Sequence, residues 1–83
     1  MLDNIKIRKE NFGWIACDIS TCNMYELSDN AEFIISNLKK NVSKERIIEQ
    51  LKLNSSFEQS ESEKIFDEVM SFLSQNKLLE NGL

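Results

Sequence analysis

The segment STCNMYELSDNAEFIISNL, residues 20–38, changes its periodicity without a break. Residues 23–27 alternate as a strand does, sending successive side chains to opposite faces. Asp29 and Glu32 then stand three apart, directly before the apolar residues Phe33, Ile34, Ile35 and Leu38. That arrangement is a helix start. A strand that ends this abruptly obliges the helix to pack back under its own sheet. It also raises the question of what covers that strand's edge.

The segments before it read as two more strands. In NIKIRKENFGW, Ile5 and Ile7 alternate with Lys6 and Arg8, a half-buried pattern, and Asn11 and Gly13 mark a turn. WIACDI is rich in strand formers, and DIST turns the chain back. Three short strands with tight connections form an antiparallel meander, which needs helices over one face to be stable.

The remainder is helical. The first helix covers residues 30–40, capped by Ser28 or Asp29, with Asn41 in the left-handed position at its end. Ser43 caps a second helix over residues 44–52, whose apolar face is Ile47, Ile48 and Leu51. LNSSFEQS is a polar linker anchored by Phe57, and Ser60 with Glu63 fits a capping box for the third helix. That helix carries Ile65, Phe66, Val69, Met70, Phe72 and Leu73. At the helical step these span roughly 160°, wider than the ~100° a helix needs to face one core. One flank therefore has a second use. Leu78 and Leu79 close the chain against the sheet. The expected fold class is α+β: a three-stranded antiparallel sheet followed by three helices, winged helix-turn-helix-like, in a single domain over residues 1–83.

The chemistry expected of this chain is binding rather than catalysis. It has 83 residues, which leaves a thin core and little room for a deep substrate pocket. It contains no histidine, the common general base at neutral pH, and its two glycines form no phosphate-cradling loop. Cys17 and Cys22 lack a partner base, and metal ligation would have to join carboxylates to two thiols, a poor match to zinc spacings. No enzyme activity, cofactor or metal is expected. With no apolar signal segment and no long apolar run, the expectation is a cytoplasmic protein with reduced thiols acting as small, partly buried apolar residues. A cross-strand disulfide over the Asp18–Thr21 turn is the alternative.

Net charge is −4, against a nucleic-acid partner. A DNA-reading winged helix would also need basic or amide side chains on its third helix. Here that segment carries Glu61, Glu63, Asp67 and Glu68 against Lys64 and Lys77. No membrane partner is expected either. Two small basic clusters, Lys6 with Arg8 and Lys9, and Lys39 with Lys40 and Lys44, read as solvated faces or as landing sites for an anionic partner.

The residues IRKENFGW, MYELSDNAEFII, NVSKERIIEQL and FDEVMSFLSQNKLLEN, in this order and at these spacings, resemble the PqqD-like family of precursor-peptide recognition elements. The resemblance covers nearly the whole chain. It departs at Asn41, where the family often has glycine, and in the pair Cys17 and Cys22 flanking the hairpin. The resemblance implies a non-catalytic protein that binds the leader of a ribosomally made precursor peptide. The leader adds as a strand beside the third strand and lies against the third helix. The partner is a modifying enzyme, a radical S-adenosylmethionine (SAM) protein or a leader peptidase.

The physics agrees with this, because the third strand of a meander leaves one edge unpaired. In TCNMYEL there is no proline and one charge to discourage pairing. Candidate peptide-binding residues are Thr21, Cys22, Asn23, Met24, Tyr25, Glu26 and Leu27 along the strand. On the third helix they are Lys64, Phe66, Asp67, Met70 and Ser71. Phe66 and Met70 are the expected groove wall, with Ile65 and Phe72 on the opposite flank. A generic protein-interaction subunit is the alternative, and an open third strand also permits a homodimer.

Overall fold

The computed structural model describes residues 2–76 and Leu78. Three strands, β1 (Ile5–Glu10), β2 (Gly13–Asp18) and β3 (Asn23–Leu27), precede three helices, α1 (Asp29–Lys39), α2 (Lys44–Ser55) and α3 (Gln59–Gln75). The sheet is antiparallel in the order β1-β2-β3. This is the expected α+β fold.

Each hairpin is closed by local chemistry. Glu10 pairs with Gly13 across a two-residue loop of Asn11 and Phe12. Gly13 sits at φ +142, a conformation that a side chain would strain. At the second hairpin the Asp18 carboxylate accepts from the Ser20 N–H at 3.0 Å and the Ser20 hydroxyl at 2.7 Å. Cys22 adopts φ 65, and its N–H donates to the Asp18 carbonyl at 2.8 Å. Cys17 lies opposite Met24 rather than Cys22, and both thiols are free. Cys22 is exposed, which corrects the expectation of two partly buried thiols.

The strand-to-helix junction is pinned from two sides. Ser28 is the N-cap, its hydroxyl accepting from the Ala31 N–H at 3.1 Å. The Trp14 indole donates to Asp29 at 3.0 Å, tying the first residue of α1 to β2. At the other end of α1, Asn41 takes φ 63 and donates to the Leu38 carbonyl, while Val42 donates to that of Asn37. These two bonds make a Schellman motif, so asparagine serves where glycine is usual.

Two boundaries differ from expectation by more than one residue. α2 runs three residues further, to Ser55, and stops where Ser56 turns left-handed at φ 57. α3 starts at Gln59 rather than after Ser60, because its capping box is Glu58 with Glu61. The Glu61 carboxylate accepts from the Glu58 N–H at 3.3 Å. Ser60 is consequently inside the helix.

The core lies between the sheet and the helices. Ile5, Ala16 and Leu27 from the sheet meet Ile34, Ile35 and Leu38 of α1, Ile47, Ile48 and Leu51 of α2, and Phe66, Val69 and Leu73 of α3. Leu2 and Leu78 plug it from the two ends of the chain. Leu79 lies outside the described residues. Each fully buried aliphatic side chain contributes about 1.5–3 kcal/mol. The helical layer therefore holds the face of a sheet too small to stand alone.

Candidate functional site: the β3 edge and its groove

The hydrogen-bond phase of the sheet decides which groups β3 offers outward. The Ile19 N–H donates to the Asn4 carbonyl at 2.9 Å, continuing the β1–β2 register. Antiparallel pairs alternate between hydrogen-bonded and non-bonded. Gly13, Ile15 and Cys17 therefore direct their peptide groups to β1, and Trp14, Ala16 and Asp18 direct theirs to β3. Their partners on β3 are Leu27, Tyr25 and Asn23. The peptide groups of Met24 and Glu26 consequently face away from the sheet, along the open edge. Two N–H donors and two carbonyl acceptors, spaced two residues apart, are what an added strand requires.

Beside this edge runs a groove of about 210 Å³ lined by Leu27, Ser28 and Ala31 on one side and Glu68, Val69 and Phe72 on the other, with Glu26 at its rim. The Tyr25 and Phe72 rings meet edge to face, their centroids 5.5 Å apart. That contact fixes the flank of α3 that faces β3, and it is the flank of Ile65 and Phe72. The expectation that Phe66 and Met70 wall the groove is corrected at Phe66, which is 4% exposed and belongs to the core. Its ring faces α2, with the Lys44 ammonium 5.4 Å from its centroid. Asp67, next to it, pairs with the same ammonium at 3.8 Å. Met70 is half-buried and packs against the core cluster.

The remaining candidates fall into two groups. Thr21, Cys22, Asn23, Met24 and Glu26 are exposed, Tyr25 is half-buried, and Leu27 is buried as part of the groove floor. Lys64 and Ser71 are exposed on the outer face of α3 and line a second, shallower depression with Glu68 and Phe72. Glu68, Val69, Ala31 and Ser28 belong to the groove, and the sequence reading did not single them out for it. No sequence signal separates the two flanks of α3: Ser62, fully buried although polar, projects from the middle of the apolar stripe.

Electrostatics sharpen the picture. Hydrogen bonds from Ser20 hold the Asp18 carboxyl below its usual value of 3.8, more than burial raises it. This fixes the loop that launches β3. The exposed face of α3 carries Glu61, Glu63, Asp67 and Glu68 with Lys64 as its one cation, a poor surface for phosphate. Among the described residues no helix is long and apolar enough to cross a membrane.

The opposite edge of the sheet is furnished differently. On β1 the outward peptide groups are those of Ile5, Ile7 and Lys9, and the Lys39 ammonium donates to the Ile5 carbonyl. Lys6, Lys39 and Lys40 line the depression beside it.

No family model and no curated relative matches the sequence. A solved structure described as "Lasso peptide synthetase B1 complexed with the leader peptide" does resemble it. The two superpose with a TM-score of 0.77 over 89% of this chain and 87% of that one, at 19% sequence identity. The chain thus shares its fold with a protein solved in complex with a leader peptide.

Proposed function

We propose that this chain is a peptide-capture domain for the leader of a ribosomally made precursor peptide, as in the PqqD-like recognition elements that its sequence resembles. The leader adds to β3 as a fourth strand and rests against the Phe72 flank of α3. The observation that carries this reading is the open edge of β3, whose outward peptide groups at Met24 and Glu26 adjoin an apolar groove. The neighbour of the same fold, whose description names a bound leader peptide, supports it.

In this reading the protein is cytoplasmic and catalyses nothing itself. It delivers the core of the precursor to a modifying enzyme, a radical SAM protein or a leader peptidase. Backbone pairing supplies affinity, and the side chains entering the groove supply selectivity.

The test is a titration of isotope-labelled protein with a synthetic leader from a short reading frame beside its gene. Amide shifts concentrated at residues 21–27 and 64–72 are expected. Silence with every neighbouring peptide would refute leader capture and leave a generic interaction subunit.

A further inference from the structure

We infer that two copies of this chain pair through the outer faces of their sheets, in one orientation that charge selects; the inference is independent of the peptide-capture reading. Strand alternation turns Ile5, Ile7, Ala16, Tyr25 and Leu27 toward the helices, where they pack on the core. Lys6, Arg8, Ile15, Cys17, Met24 and Glu26 therefore project from the face turned away from the helices. Ile15 is 7% exposed, yet among the described residues it is the one buried apolar side chain outside the core cluster. Met24, on the same face, is 56% exposed. This face thus carries an apolar centre of its own.

The register orders it in rows. Arg8, Ile15 and Glu26 stand side by side across the three strands, and Lys6, Cys17 and Met24 form the next row. The first row runs cation, apolar, anion, so it is antisymmetric about Ile15. Turning a second copy by a half-turn about an axis roughly along β2 lays Ile15 on Ile15 and each Arg8 over Glu26 of the other copy. The second row then sets the aliphatic stem of each Lys6 over Met24. An axis across the strands would instead stack Arg8 on Arg8 and Glu26 on Glu26. Like charges in contact exclude that arrangement.

Both charges are available for this contact. Glu26 has no hydrogen-bond or ion-pair partner among the described residues. Arg8 gives its Nε to Glu10 at 3.0 Å and keeps both terminal amino groups. Sheets packed face to face lie about 10 Å apart, a gap that these two long side chains bridge from opposite sides. The contact is isologous and closes at two copies. The β3 edges fall on opposite flanks of the pair, so both stay open. Three strands of this length present a footprint of only ~250 Å², against the ~800 Å² per partner of a stable complex. The association is therefore weak and depends on concentration.

The experiment is analytical ultracentrifugation of the full chain at low salt, carried to about 1 mM. The parent should show a monomer–dimer equilibrium that fades as ionic strength rises. R8E and E26R each set like charges against one another at both contacts. Two pairs, each worth at most about fivefold, are lost, so either variant alone should associate about tenfold more weakly. An equimolar mixture of R8E and E26R should associate as the parent does, because each changed side chain then faces its complement. The R8E/E26R double variant should likewise regain the parent's affinity. Both positions are exposed, and circular dichroism checks that each variant folds. A parent that stays monomeric throughout would overturn the inference. Single variants that dimerise as the parent does would overturn it too, and so would folded variants that neither mixing nor combination restores.

Discussion

The phase of the β3 ladder yields a test in which two adjacent residues behave oppositely. Met24 points its N–H out of the sheet, whereas Tyr25 pairs with Ala16. Proline at position 25 removes a ladder bond worth about 1 kcal/mol and strands the facing carbonyl of Ala16 at a further ~1–3 kcal/mol. It also deletes the ring contact with Phe72, worth about 0.5–1.5 kcal/mol. The total, about 3–5 kcal/mol, is a large share of the ~4–12 kcal/mol of a domain of this size, so Tyr25→Pro should be strongly destabilised. Proline at position 24 removes no bond within the sheet, because edge positions facing solvent tolerate it. Met24→Pro should lose less than about 1 kcal/mol of stability yet lose leader binding by more than tenfold. Its ring takes the place of a donor that the added strand needs. Guanidinium unfolding followed by circular dichroism gives the first quantity, and fluorescence anisotropy with a labelled leader gives the second. A folded Tyr25→Pro beside an unfolded Met24→Pro would refute the phase. A folded Met24→Pro that binds as tightly as the parent would refute strand addition at this edge.

The two aromatic residues of α3 should separate in the same assays: Phe66→Ala costs about 3–5 kcal/mol of stability through a core cavity. Phe72→Ala, at the half-buried groove wall, should cost about 1–2 kcal/mol and weaken leader binding several-fold, and equal effects of the two on binding would contradict the assignment of flanks. Ser62→Ala should stabilise the protein by about 1 kcal/mol in a thermal melt, because the Ser62 hydroxyl is buried without a hydrogen-bond partner among the described residues. Asp18 has a lowered folded-state pKa, so its stabilising contribution is fully present above its unfolded value near 3.8 and is lost as pH falls through the folded value. The Tm gap between the parent and Asp18→Asn should therefore stay constant between about pH 5 and 7 and shrink in acid; a gap that widens in acid would reverse the sign of the shift.

Element order was legible because each transition in the chain carries its own punctuation. The period-two pattern of residues 23–27 gives way to a helix at Ser28, and the cap hydrogen bond is where the sequence puts it. Asn41 marks the end of α1 by adopting the left-handed conformation that few other residues tolerate. Legibility failed where polar residues do unexpected work. Glu58 caps α3 although serine two residues later fits the motif better, since either carboxylate or hydroxyl can satisfy the first amides. Ser62 occupies the middle of the buried face of α3, and the apolar stripe reaches equally to either side of it, so the pattern does not say which flank meets β3. The edge-facing peptide groups of β3 are invisible to any reading of side chains. They follow from the parity of two hairpin loops, which only the register reveals.

The Lys39 ammonium on the Ile5 carbonyl has a consequence for how copies of the molecule meet one another. A sheet with two open edges can grow head to tail, the β3 edge of one copy pairing with the β1 edge of the next, and that contact does not close on itself. Such growth ends in fibres. Here one end of the sheet is plugged by a cation that occupies an acceptor the next strand would need, and Lys6 and Lys40 stand beside it. The sheet is thereby polar in the sense of a plug and a socket with the plug removed. It can accept one strand at β3 and is obstructed where β1 begins.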